Sequence, residues 1–85
     1  MEFVVHENEV YLKNEKEVII AKLSFEETNR DEYCISSVCV DEAFRGKNIA
    51  SKLMEYTVKK MKNMGAKKIC ATCYYAIHWL EKNNI

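Results

Sequence analysis

The stretch VDEAFRGKNIASKL, residues 40–53, is where the chain changes rhythm. Before it, from Phe3 to Val40, apolar and polar residues alternate in four runs: FVVHE, EVYLK, EVIIAKLSF and EYCISSVCV. A period of two turns one face of each run to a core and the other to water, which is the pattern of half-buried strands. Polar breaks at Glu7-Asn8, Asn14-Glu15-Lys16 and Thr28-Asn29-Arg30-Asp31 are short enough to join neighbouring strands into an antiparallel meander. After it, apolar positions fall at Ile49, Ala50, Leu53, Met54, Thr57, Val58, Met61 and Met64, with Lys52, Glu55, Lys59, Lys60, Lys62 and Asn63 on the other side. That is helical spacing with a broad buried stripe. The spacing predicts a helix opening at about residue 47 and running about 18 residues, with Gly65 placed to stop it. AKKICAT then reads as a fifth strand, and roughly Tyr75 to Asn83 as a short last helix with Ala76, Trp79 and Leu80 on one face. The order β-β-β-β-α-β-α makes an α+β fold. A helix between strands four and five implies a right-handed crossover and parallel pairing of those two strands.

Size and charge narrow the function. The 85 residues suffice for one domain, so residues 1–85 are expected to share a single core. Thirteen basic residues balance thirteen acidic ones, so no overall field draws the chain to nucleic acid or to an anionic membrane. The opening MEFVVHENEV interrupts every apolar run with charge, and no stretch approaches the ~20 apolar residues that span a bilayer. A soluble, cytoplasmic protein is expected. Cys34, Cys39, Cys70 and Cys73 are then expected as reduced thiols, the first three packing as small core residues.

The chain has two glycines and no proline, so Gly46 at the mouth of the long helix needs a reason. Where a meander turns into a parallel β-α-β unit, strands four and five share a short pairing and then part. Ligands favour the crevice beyond the carboxyl ends of such strands. A helix opening there offers unpaired N–H groups and the positive end of its dipole, and a glycine lets backbone approach an anion closely. The expected guest is a phosphate or pyrophosphate. A plain turn followed by a cap would leave the same Arg-Gly pair.

VCVDEAFRGKNIASKLMEYTVKKMKNMGAKKICA resembles the acetyl-CoA-binding core of the GNAT N-acetyltransferase superfamily, whose signature is Arg or Gln, two residues, Gly, one residue, then Gly or Ala. Here that reads Arg45, Gly46, Lys47, Asn48, Ile49, Ala50. The later CYYAIHWLEKN resembles a short GNAT-like family in which a cysteine, followed two residues on by a tyrosine, comes after strand five. The signature's central glycine is Asn48 in this chain. Ser37 stands where the short family usually has a histidine before the signature. The resemblance implies a minimal GNAT-like fold that binds acetyl-CoA or CoA and transfers the acetyl group to an amine, with no metal. Cofactor contacts would come from the backbone of Val38, Cys39 and Val40 along the pantetheine arm, and from Arg45, Gly46, Lys47, Asn48, Ile49, Ala50 and Ser51 at the phosphates. Lys52 is a further lysine within reach of phosphate or merely exposed.

Acetyl transfer needs a neutral amine, a polarised carbonyl and a proton for the departing thiolate. Cys73 is the leading acid, since it ends strand five and matches the short family's cysteine; a thiol at a helix start is also easier to ionise. A buried structural thiol is the alternative. Tyr75 matches the family's tyrosine and is placed to donate a proton or to pack on the core. His78, one turn into the last helix, is a general base or a surface residue, and Glu42 a collector of the substrate ammonium or a solvated turn residue. The acceptor amine itself is not readable.

Two other readings stay open. One is a CoA-binding protein without efficient catalysis, motivated by Asn48 and Ser37. The other is a metal or redox module of CATC with Cys34 and Cys39. In a regular strand, residues five apart face opposite ways, so Cys34 and Cys39 would need a bulge to converge on one zinc.

Overall fold

The computed structural model describes residues 1–85. Strands β1 (Glu2–His6), β2 (Glu9–Lys13), β3 (Ile19–Asn29) and β4 (Glu32–Val40) precede a 3-10 turn at Glu42–Phe44. Helix α1 (Ile49–Asn63), strand β5 (Lys68–Ala71) and helix α2 (Tyr74–Lys82) complete the chain. One sheet runs β1-β2-β3-β4-β5, with the first four strands antiparallel and β5 parallel to β4. This is the α+β order expected from the sequence, with the parallel pair where the crossover requires it.

The core lies on one face of the sheet. Val10 and Leu12 of β2, Leu23 and Phe25 of β3 and Ile35 of β4 meet Ile49, Leu53, Met54, Val58 and Met61 of α1, and α2 adds Ala76 and Leu80. Thr57, fully buried in that stripe, satisfies its hydroxyl by donating to the Leu53 carbonyl at 2.8 Å. Phe3 stacks on Tyr56 at 4.3 Å between ring centroids, which ties the edge strand β1 to α1.

The opposite face carries no helix and is finished by its own polar side chains. Glu9 accepts hydrogen bonds from Tyr11 and, at 3.4 Å, from Ser24, and pairs with Lys22 at 3.3 Å. The Tyr11 hydroxyl and, after it, the Lys22 ammonium hold the Glu9 carboxyl below its ordinary range, while the bond to Glu9 raises Tyr11. An antiparallel sheet with one face packed and one solvated needs this alternation.

The boundaries differ from the sequence reading in instructive places. Helix α1 begins at Ile49 rather than near residue 47, because Gly46 (φ 79°) and Asn48 (φ 59°, ψ 22°) are both left-handed and cannot be helical. It ends as expected at Gly65 (φ 88°), where Ala66 N–H donates to Met61 C=O and Gly65 N–H to Lys62 C=O, each at 3.0 Å. These are the two crossed bonds of a Schellman motif. Strand β3 starts later, since the Asn14 side chain accepts from the N–H groups of Lys16 and Val18 and prolongs the turn. It also runs on past Phe25 to Asn29, held by pairing with β4 although Glu26 to Asn29 are exposed. No helix is long and apolar enough to cross a membrane.

Candidate functional site

Strands β4 and β5 form a fork. They pair from Glu32 with Lys68 to Ile35 with Ala71, and a last bond joins Thr72 N–H to Ile35 C=O at 3.0 Å. Strand β5 then ends, while β4 continues to Val40 with only β3 beside it. A β-bulge sits at the same level: Ser24 faces Ser37 and Phe25 faces Ile35, so Ser36 is an extra residue on β4. Such a bulge bends its strand and increases its twist, which carries the end of β4 away from β5.

Beyond the bulge, Asp41 N–H donates to Ile20 C=O at 2.7 Å, with Val40 opposite Ala21. Alternation in an antiparallel pair then points the Cys39 backbone groups at β3 and those of Val38 and Val40 into the fork. Of the three residues expected to offer backbone to a ligand, Val38 and Val40 have the right orientation. The Cys39 side chain is exposed on the uncovered face, 3.6 Å from the Ser37 hydroxyl.

The loop from β4 to α1 is held by its own hydrogen bonds. Asp41 accepts from Ala43 N–H at 3.0 Å and fixes the 3-10 turn, and Arg45 Nε donates to Val40 C=O at 3.3 Å. Lys47 lies over the Phe44 ring at 5.6 Å. From Gly46 through Ser51 no backbone N–H donates to an acceptor in the protein; the first helical bond is Lys52 N–H to Asn48 C=O at 3.1 Å. Consecutive amides without protein acceptors, around left-handed residues at a helix start, are a setting in which anions bind.

The left-handed Asn48 also explains why a glycine suits that position and why asparagine is tolerated. Its side chain makes no capping bond. Asn48→Gly is therefore expected to keep stability within about 0.5 kcal/mol, whereas Asn48→Ala costs about 1 kcal/mol. Urea denaturation of the two variants checks this.

Two cavities meet at this loop. A slot of about 220 Å3 is lined by Val40, Phe44, Arg45, Gly46, Asn48, Ile49, Ala50 and Tyr75. A wider groove of about 680 Å3 opens between α1 and α2, with Asn48, Ser51 and Glu55 on one wall and Tyr75, His78, Trp79 and Lys82 on the other. Tyr75 borders both. Ser51 accepts a hydrogen bond from Trp79 Nε1 at 2.9 Å, so its side chain ties the helices together.

The structure thus gathers Val40, Arg45, Gly46, Asn48, Ile49, Ala50 and Tyr75 around one slot and puts His78 and Ser51 in the adjoining groove. Cys73 lines neither; it caps α2 just past the fork, half-buried against the core. Glu42 and Lys52 are exposed. Phe44, Glu55, Trp79, Lys82 and Asn83 are the lining residues that the sequence does not single out as site residues. An aromatic just ahead of Arg-Gly in an otherwise polar loop is the available signal for Phe44.

Cys34 and Cys39 correct one expectation. They pair with Glu26 and Lys22, which share a face of β3, so the bulge at Ser36 brings both cysteines onto the uncovered face. Even so, no group of three or more His, Cys, Asp and Glu side chains is arranged to hold a metal ion.

A family model described as GCN5-related N-acetyl-transferase matches residues 9–84. No curated protein matches the chain. Among solved structures, the chain is similar to a GCN5-like protein from Staphylococcus aureus, with 25% identity and a TM-score of 0.77 over 98% of this chain and 80% of that one. It is also similar to an IAA acetyltransferase from Bacillus cereus, at 22% identity and TM-score 0.72, covering 88% of this chain and 52% of that chain. Tetrahymena GCN5 shares the fold at 13% identity and TM-score 0.71, with 87% and 48% covered. The chain spans about half the length of these last two proteins.

Proposed function

The chain belongs to the GCN5-related N-acetyl-transferase family, and from that premise we propose that it binds acetyl-CoA along the loop and fork and transfers the acetyl group to an amine. The observation that carries this reading is continuity. The amides of Gly46 to Ser51, which donate to no acceptor in the protein, border a slot that reaches Val40, and from there β4 runs back through Val38 toward the point where β5 leaves it. An anion site, a strand edge able to bond two amides and a gap for a thioester are the parts an extended acyl-CoA needs.

In this reading the amides of Gly46 to Ser51 receive the pyrophosphate, helped by the dipole of α1. Val38 and Val40 hydrogen-bond the pantetheine arm. For Val40 this means that Arg45 shares or gives up its bond to the Val40 carbonyl. The groove between α1 and α2 receives the adenosine end, where Trp79, Tyr75 and His78 offer ring surfaces and Lys82 a charge. The helices close one side of the fork, so the acceptor comes from the uncovered face. Its amine attacks the acetyl carbonyl, the carbonyl carbon–sulfur bond breaks, and the CoA thiolate takes a proton. One of two groups supplies that proton, Cys73, which turns from the fork into α2, or Tyr75, which borders the slot; His78 lies in the groove with the adenosine end, so the attacking amine loses its proton to solvent.

Steady-state acetylation of an amine panel tests the assignment. Cys73→Ala or Tyr75→Phe is expected to lower kcat by about 10- to 100-fold, with acetyl-CoA affinity changed less than about threefold. Undiminished turnover in Cys73→Ala removes the cysteine from the chemistry. A second reading, cofactor binding without efficient turnover, is favoured by Ser37, which puts a hydroxyl rather than an imidazole beside the fork. Binding without turnover on every amine tried selects it.

A further inference from the structure

Two cysteines left unused by this reading face each other across the base of the fork. Cys34 of β4 and Cys70 of β5 are register partners in the parallel pair, one rung before its last, Ile35 with Ala71. Partner residues on adjacent strands have Cα atoms roughly 4.8 Å apart, inside the span of about 4.4–6.8 Å that a disulfide bridges. Both side chains lie outside the core cluster, on the uncovered face. Cys34 is buried and Cys70 half-buried, with the Cys70 thiol donating to the Tyr33 carbonyl at 3.5 Å. Both are free thiols.

We propose that Cys34 and Cys70 close to a reversible disulfide under peroxide, and that the closed bond clamps the fork and weakens acetyl-CoA binding. The second part rests on the acetyl-CoA reading of the fork. Cys70, the more open thiol, reacts first: its sulfur attacks one peroxide oxygen, the O–O bond breaks, and Cys70 sulfenic acid and water form. The Cys34 sulfur then attacks the Cys70 sulfur. The S–S bond forms, the S–O bond breaks, and the departing hydroxide leaves as water with the Cys34 proton. The order agrees with Cys34 being pushed up to about 11, chiefly by burial and then by Cys70, which makes it the less reactive thiol of the two. A dithiol reduces the bond by exchange. The clamp acts at the base of the fork: with Cys34 and Cys70 bonded, the rung beside Ile35 and Ala71 is fixed, which limits how far the diverging strands spread around a pantetheine arm.

The test oxidises the whole protein with hydrogen peroxide and reads intact mass, the peptide map, thermal midpoint and acetyl-CoA affinity by calorimetry. Expected are a loss of about two mass units, a Cys34–Cys70 peptide, a midpoint raised by roughly 10 °C or more and affinity at least threefold weaker, all reversed by dithiothreitol. Cys70→Ser and Cys34→Ser lose all four responses; Cys70→Ser, at the more exposed position, serves if the buried change unfolds the protein. Oxidation of the exposed Cys39 with no Cys34–Cys70 peptide overturns the pair. A mapped disulfide with unchanged affinity overturns the clamp. If the reduced protein binds no acetyl-CoA, the cofactor reading and the clamp fail together, while the mass, map and midpoint still decide the disulfide.

Discussion

Replacing Ala50 by glutamate is expected to weaken acetyl-CoA binding at least 100-fold and to leave the fold as stable as before or slightly more so. Ala50 is the second residue of α1 and lines the slot beside Gly46 and Asn48. A carboxylate in the first turn of a helix is favourable to the helix, because it faces the positive end of the dipole. The same carboxylate would stand where the pyrophosphate is proposed to sit. Two like charges about 5 Å apart repel by about 3 kcal/mol at an effective dielectric of about 20, which corresponds to roughly 100-fold in affinity. Calorimetric titration beside a thermal melt separates the two effects. Affinity within threefold of the parent protein would place the cofactor elsewhere.

Leu53→Ala should be the most damaging single truncation for stability. Leu53 is completely buried, on the face of α1 that meets the sheet, within the one cluster that joins both helices to β2, β3 and β4. Removing such a side chain costs about 2–5 kcal/mol through lost burial and the cavity left behind. A small domain holds only about 5–10 kcal/mol in total, so the thermal midpoint should fall by more than about 10 °C. Val18→Ala, at a position 53% exposed, should shift the midpoint by only a degree or two and serves as the control. A drop below 5 °C for Leu53→Ala would mean that α1 does not pack on the sheet as described.

Much of this fold is visible in the spacing of apolar residues. The stripe from Ile49 to Met61, the stop at Gly65 and the crossover into β5 follow from a period that switches once. Features set by backbone geometry are harder to see. The bulge at Ser36 lies in the run Ile35-Ser36-Ser37-Val38, where two small polar residues in succession do not reveal which one is extra. Without it, Cys39 and Cys34 would face opposite sides of the sheet. The late start of α1 is of the same kind, since asparagine tolerates a left-handed backbone but does not require one.

The site divides along similar lines. Gly46 stands out by its scarcity, and its left-handed backbone (φ 79°) accounts for it in the fold; an anion at the loop is an expectation from its position between strand and helix. The tie between Trp79 and Ser51, which fixes the wall of the groove, joins residues far apart in sequence and depends on how α2 docks. Cys73 stands just past the fork, as its place after strand five implies. Its distance from a bound thioester depends on docking as well, which is why its role is a matter for kinetics.

The central claim is that the loop and fork together form the acetyl-CoA site, and an amide-detected NMR titration tests it most directly. Adding acetyl-CoA should shift the amides of Gly46 to Ser51 together with those of Val38 and Val40, saturating at micromolar to low millimolar concentration, while the far edge around Val4 and Tyr11 stays in place. No shift in the loop amides at several millimolar acetyl-CoA, or shifts confined to the far edge, would contradict it.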